Sequence, residues 1–191
     1  MYIKPRIDIS IDCRAYEHII NSVKLKAPLE IGVETAVYML MFGLLAESEF
    51  EIVDVNTMWL KFAKVYSNAK DKDNLFGAVP DLVIVGKDFD YSNKADENHA
   101  FGFVEVKSIA TNDIKDTVEI KSHKSNTNHL IWTNGLKWYY YNMISQERNW
   151  SIDLATNEID ESGRVQIDER KYGELLYNLN GIDWSIPVIQ K

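Results

Sequence analysis

Apolar and polar positions alternate in "RIDISID" (6–12), where Ile7, Ile9 and Ile11 recur at period 2, and this predicts a half-buried strand. From Ala15 to about Lys26 the spacing loosens to that of a helix. A second helix follows in "LEIGVETAVYMLMFGLLAES", with Pro28 suited to its first turn. It is apolar nearly all round past Val33, so its middle should be buried. "TMWLKFAKVYSNAK" suggests a further helix and "KDKDNLFG" an exposed turn.

Two short Val- and Ile-rich runs come next. "PDLVIVG" (80–86) reads as a strand closed by Gly86, and "HAFGFVEVKS" as a second strand beyond the polar loop 87–98. A polar helix capped by Thr111 or Asn112 is expected over 111–125. Asn134-Gly135, between two aromatic and β-branched runs, predicts a two-residue hairpin. "RNWSIDLATNEID" suggests one more strand. A closing helix is predicted over 168–179, with Tyr172, Leu175, Leu176 and Leu179 on one face. No repeat or linker divides the chain, so the expectation is one domain over 1–191.

Composition narrows the class. A chain of 191 residues with 46% hydrophobic side chains can bury a substantial core. The single cysteine, Cys13, cannot form an internal disulfide, which suits reducing cytoplasm. The longest apolar run, at 36–46, is too short to span a membrane, and "MYIKPRIDIS" lacks a secretory h-region. Net charge is −8, which disfavours non-specific nucleic-acid binding by the surface as a whole. His18, His99, His123 and His129 show no metal-ligand spacing. Trp132, Trp138, Tyr139, Tyr140 and Tyr141 suit base stacking, but cross-strand packing on a hairpin is the simpler reading.

The candidate chemistry lies in "FGFVEVKS". An acid two residues before a lysine occurs four times, at Glu105-Lys107, Asp113-Lys115, Glu119-Lys121 and Glu169-Lys171. With 29 acids and 16 lysines, chance alone supplies roughly two or three. Only Glu105-Lys107 falls in a strand pattern, where residues two apart share a face. Val104 and Val106 would then face the core, and Phe103, Glu105 and Lys107 the other side. Either this strand is a solvated edge, or the carboxylate holds a cation. Pro80-Asp81 opens the neighbouring strand, so Asp81 and Glu105 can meet across an antiparallel pair. Two converging carboxylates repel unless a divalent ion lies between them, and Mg²⁺ favours such hard oxygen ligands. A third acid, Glu34, sits in the most buried-looking helix.

Glu34 on an early helix, Pro80-Asp81 opening a strand and Glu105-x-Lys107 on the next resemble the PD-(D/E)xK nuclease superfamily. Within it, "GAVPDLVIV", "GFVEVKS" and "HLIWTNGLKWYYY" look like the N-terminal nuclease domain of type I restriction endonuclease motor subunits. The resemblance spans about 28–142. It implies an α/β fold, a restriction-endonuclease-like mixed central sheet flanked by helices (α-β-β-β-α-β core), here with an added C-terminal hairpin or strand and helix. It implies a Mg²⁺- or Mn²⁺-dependent DNA endonuclease or exonuclease leaving a 5′-phosphate and a 3′-hydroxyl. Asp81, Glu105 and the main-chain carbonyl of Val106 would hold the metal, and Glu34 would bind through water or orient a second ion. Lys107 would position or deprotonate the attacking water.

DNA is the implied partner, with other restriction-system or phage-related subunits and a second copy of the chain as further candidates. Two departures stand out. Those subunits carry a Gln in the helix after the Lys, whereas "TVEIKSHKSNTNHL" has none, with His123 at best in its place. No G-x-x-x-x-G-K motif follows, so a stand-alone relative or a fragment is expected. The alternative from another class is a non-catalytic DNA-binding or protein-interaction module on the same fold.

Overall fold

The computed structural model describes residues 11–54, 80–89, 100–111, 129–142 and 147–185. The helix expected over "TMWLKFAKVYSNAK", the turn at "KDKDNLFG", residues 90–98 of the polar loop and residues 112–125 of the polar helix lie outside them. So do residues 6–10 of the expected first strand. Its last two residues belong to a helix start instead: Asp12 caps α1 (Cys13–Lys26), accepting a hydrogen bond from the Ala15 N–H at 2.7 Å.

α2 spans Glu30–Leu45, with Leu29 as its N-cap. Pro28 therefore precedes the helix and does not form its first turn. It acts on α1, because the residue before a proline is pushed out of helical geometry, and Ala27 ends α1 at φ −156°, ψ 83°.

Six strands form the main sheet in the order β1 (Phe50–Asp54), β2 (Leu82–Gly86), β3 (Ala100–Val106), β4 (His129–Thr133), β5 (Lys137–Asn142), β6 (Glu147–Asp153). All neighbours are antiparallel except β3 and β4, which run parallel. A parallel step needs a crossover of a dozen or more residues, and 107–128 provides that length. β7 (Ala155–Ile159) and β8 (Val165–Ile167) form a separate antiparallel pair, and α3 (Glu169–Asn180) follows, capped by Asp168. This mixed sheet with three helices among the described residues matches the expected restriction-endonuclease-like α/β class.

Alternation along the strands sorts the core into two faces. Leu82, Ile84, Val104, Val106, Ile131, Trp138 and Ile152 join the cluster that contains Tyr16 and Ile20 of α1, Val33 and Val37 of α2, and Leu175 of α3. Val83, Val85, Phe103, Leu130 and Trp132 form a second buried cluster on the other face. The aromatic run behaves as cross-strand packing. Trp132 meets its partner Tyr139 edge-on at 5.6 Å, and Tyr140 stacks on its partner Trp150 at 5.5 Å.

The β4–β5 hairpin is shifted by one residue from its expected position. Thr133 pairs with Trp138 and the Asn134 N–H donates to the Lys137 carbonyl at 3.3 Å, so Gly135 and Leu136 are its central residues. The tip is buried against the helices: Tyr16 donates to the Gly135 carbonyl at 2.7 Å. Gly135 has φ +85°, and a Cβ there would stand 2.8 Å from Ile20 Cδ1 and 3.0 Å from Val33 Cγ1. Gly135→Ala should therefore lower stability by about 2–4 kcal/mol, the sum of left-handed strain and overpacking. A urea midpoint indistinguishable from that of the parent protein would contradict this packing.

Candidate functional site

β3 is the third of six strands and has neighbours on both sides, which removes the solvated-edge explanation for Glu105 and Lys107. By alternation Glu105 stands on the face of Phe103, opposite the helices that cover Val104 and Val106. Its side chain is only 4% exposed, against 20% for Lys107. In register beside it is Trp132, itself buried.

β2 brings the second carboxylate. Leu82 pairs with Val104 and Val83 with Phe103, and this register continues to set Asp81 across from Glu105 on the same face. Asp81 immediately precedes the first paired residue of β2. Its Oδ2 accepts a hydrogen bond from the Val106 N–H at 2.6 Å. This contact fixes the opening of β2 against the end of β3.

The Lys107 Nζ is bonded to the Glu105 Oε1, and its charge also acts on Asp81. Burial, then the Glu105 charge, push the Asp81 carboxyl up to about 8, despite the Val106 hydrogen bond and Lys107. Burial alone would lower the Lys107 ammonium, but Glu105 outweighs it, with help from Asp81 and Glu30, and raises it above the ordinary lysine range.

The structure brings Asp81, Glu105 and Lys107 together around the Val106 backbone. Glu34 sits on α2, 5% exposed, among Val33, Ala36 and Val37. Among the described residues no group of three or more His, Cys, Asp or Glu side chains is gathered to hold a metal ion, so the assembled acid donors are two. An acid that the motif did not single out also acts on the site. Glu30, in the first turn of α2, adds its charge to both Asp81 and Lys107. It lies four residues before Glu34 and so shares its helix face, a spacing visible in "EIGVE".

The Thr133-Asn134-Gly135 turn supports the segment that carries Lys107. The Lys107 N–H donates to the Thr133 carbonyl at 2.8 Å, and Asn134 Nδ2 donates to the Thr111 carbonyl at 2.7 Å. Asn134 Oδ1 accepts from the Leu136 and Lys137 N–H groups, so one side chain ties the hairpin tip to the exit of β3.

The donor set suits a hard divalent cation such as Mg²⁺ or Mn²⁺. Two carboxyl groups, hard oxygen donors, oppose each other on adjacent strands. No helix among the described residues is long and apolar enough to cross a membrane.

No family model matches the chain, and no curated protein matches it. The chain is similar to a solved structure described as a cryoEM structure of a DrdV–DNA complex. The TM-score is 0.49 and the identity 13% over 88% of this chain, which spans 14% of the length of that one.

Proposed function

We propose that the chain is a divalent-metal-dependent deoxyribonuclease that hydrolyses phosphodiester bonds at the Asp81–Glu105–Lys107 site. The observation that carries this reading is a buried pair of carboxyl groups on a central strand pair, with the Lys107 ammonium bonded to Glu105. A fold that only needed packing there would place apolar residues at both positions.

Asp81 and Glu105 would hold the cation, with the Val106 carbonyl as a further oxygen donor and Glu34 or Glu30 acting from α2. When bound, such an ion polarises a phosphoryl oxygen and lowers the pKa of a coordinated water. The remaining work falls to the chain. Lys107, released from its bond to Glu105, is placed to orient the attacking water and to offset negative charge growing on the phosphate. The burial of Glu105 keeps bulk water away, which strengthens each of these interactions. The Val106 N–H fixes the Asp81 carboxylate without a mobile partner. Cutting both strands of a duplex would call for two such sites and hence a second copy of the chain.

The test is cleavage of supercoiled plasmid and of single- and double-stranded oligonucleotides with Mg²⁺ or Mn²⁺, comparing the parent protein with Asp81→Asn. Metal-dependent cleavage that Asp81→Asn abolishes supports the reading. Cleavage equal in both proteins would sink it, as would DNA binding without cleavage under every metal tried. The latter would leave a non-catalytic DNA-binding module.

A further inference from the structure

The β4–β5 turn needs only an acceptor from the Asn134 side chain, yet that side chain also donates. Its Oδ1 accepts from the Leu136 N–H at 3.1 Å and from the Lys137 N–H at 2.7 Å, which closes the hairpin. An aspartate there would supply the same acceptor. The carboxamide adds a donor, and this one leaves the turn: Nδ2 donates to the Thr111 carbonyl at 2.7 Å.

The far end of that bond belongs to the segment that carries Lys107. Lys107 follows Val106, the last residue of β3, where strand pairing ends. Its N–H donates to the carbonyl of Thr133, the residue before Asn134, at 2.8 Å. Further on, the Thr111 N–H returns to the Ser108 carbonyl at 2.9 Å, and the Ser108 and Thr111 hydroxyls lie 3.2 Å apart. Residues 108–111 thus form a tight turn. Two consecutive hairpin residues hold the backbone on either side of it, Thr133 at 107 and Asn134 at 111. Thr133 is fully buried and Asn134 only 2% exposed, which limits competition from water.

This hold matters because the Lys107 ammonium rests on Glu105 and must turn from it to serve water and phosphate. A long, flexible stem makes that move accurately only from a fixed backbone, and a misplacement of about 1 Å costs roughly a hundredfold in rate. We infer that Asn134 is a positioning residue for Lys107: its bond to the Thr111 carbonyl fixes the turn after β3, and with it the point from which the ammonium swings. The inference rests on the nuclease reading above for the reaction it serves.

The test compares the parent protein with Asn134→Asp and Asn134→Ser, each alone and combined with Lys107→Met, in single-turnover cleavage of supercoiled plasmid with Mn²⁺. Both substitutions keep an acceptor for the turn and give up the donor that reaches Thr111. One preserves the shape of the side chain, and the other adds no charge. Either should slow cleavage about 10- to 100-fold, with DNA and Mn²⁺ affinities within about twofold of the parent values. In the Lys107→Met background the same change should alter the rate by less than about threefold, because the group being positioned is gone.

A second readout needs no substrate. Amide hydrogen exchange at Lys107 and Thr111 should quicken about tenfold in both variants, while the amides of β2 keep their protection. Equal rate losses in the two backgrounds would make Asn134 a support of the fold alone. That result, parental cleavage rates in both variants, or unchanged exchange at Lys107 and Thr111 each overturns the inference and leaves the nuclease reading standing. A parent protein that cuts no DNA with Mg²⁺ or Mn²⁺ overturns both.

Discussion

Asp81→Asn should yield a protein that is more stable than its parent in metal-free buffer at pH 7–8, yet cleaves DNA slower by about a thousandfold or more. Both effects come from one carboxylate. In the folded chain burial and Glu105 raise the Asp81 carboxyl to about 8, while in the unfolded chain it titrates near the ordinary value of about 3.9. Between those limits the unfolded state has lost the proton that the native state keeps, so stability falls as pH rises. Above about 8 both states are ionised and the curve flattens. Asn cannot ionise and can still accept the Val106 hydrogen bond through its Oδ1. The expected gain is about 1–3 kcal/mol at pH 7–8, shrinking towards zero near pH 4. Thermal midpoints measured from pH 4 to pH 9 check it. A variant less stable than its parent at pH 8 would mean that Asp81 is a supporting hydrogen-bond acceptor and not a strained ligand.

Lys107→Met should act in the opposite direction on stability and in the same direction on activity. Methionine keeps the length of the side chain, so packing changes little, but Glu105 loses its cation in a strand closed by β2 and β4. Removing one member of a largely buried pair costs about 2–4 kcal/mol here, with the partial exposure of Lys107 moderating the loss. The deficit should grow as pH rises, because the remaining acids then carry more uncompensated charge. Added Mn²⁺ should restore much of the stability, since the cation supplies the missing charge. It should not restore cleavage, expected to fall about 10²- to 10³-fold for want of a group on the water and phosphate. Chemical denaturation with and without Mn²⁺ separates the two effects. If Mn²⁺ fails to rescue stability, the acids do not share a cation.

Much of this site is legible in the sequence because its parts are local. Asp81 ends the only Pro-Asp dipeptide, and Glu105 and Lys107 share a face by the two-residue period of a strand. Antiparallel pairing of β2 with β3 follows from two short apolar runs joined by a polar loop, and the register then sets the acids opposite each other. The closing helix was equally plain, since Tyr172, Leu175 and Leu179 are buried along one face.

What escaped depends on contacts far apart in the chain. Glu30 reads as an ordinary first-turn acid, and only the meeting of α2 with the end of β3 shows its influence on Asp81 and Lys107. Asn134-Gly135 suggested the wrong central pair, because Leu136 is held inward by helices that a local turn rule does not see. Ile11 continued an alternating pattern, but Asp12 beside it caps α1.

The most direct test of the central claim is a calorimetric Mn²⁺ titration of the parent protein and Asp81→Asn at pH 7 and pH 8.5. The account predicts saturable binding to the parent protein that tightens about tenfold between the two pH values, as the proton on Asp81 ceases to compete. It predicts no such binding in Asp81→Asn. Binding of equal strength in both proteins, or none in the parent protein at either pH, would contradict a metal site between Asp81 and Glu105.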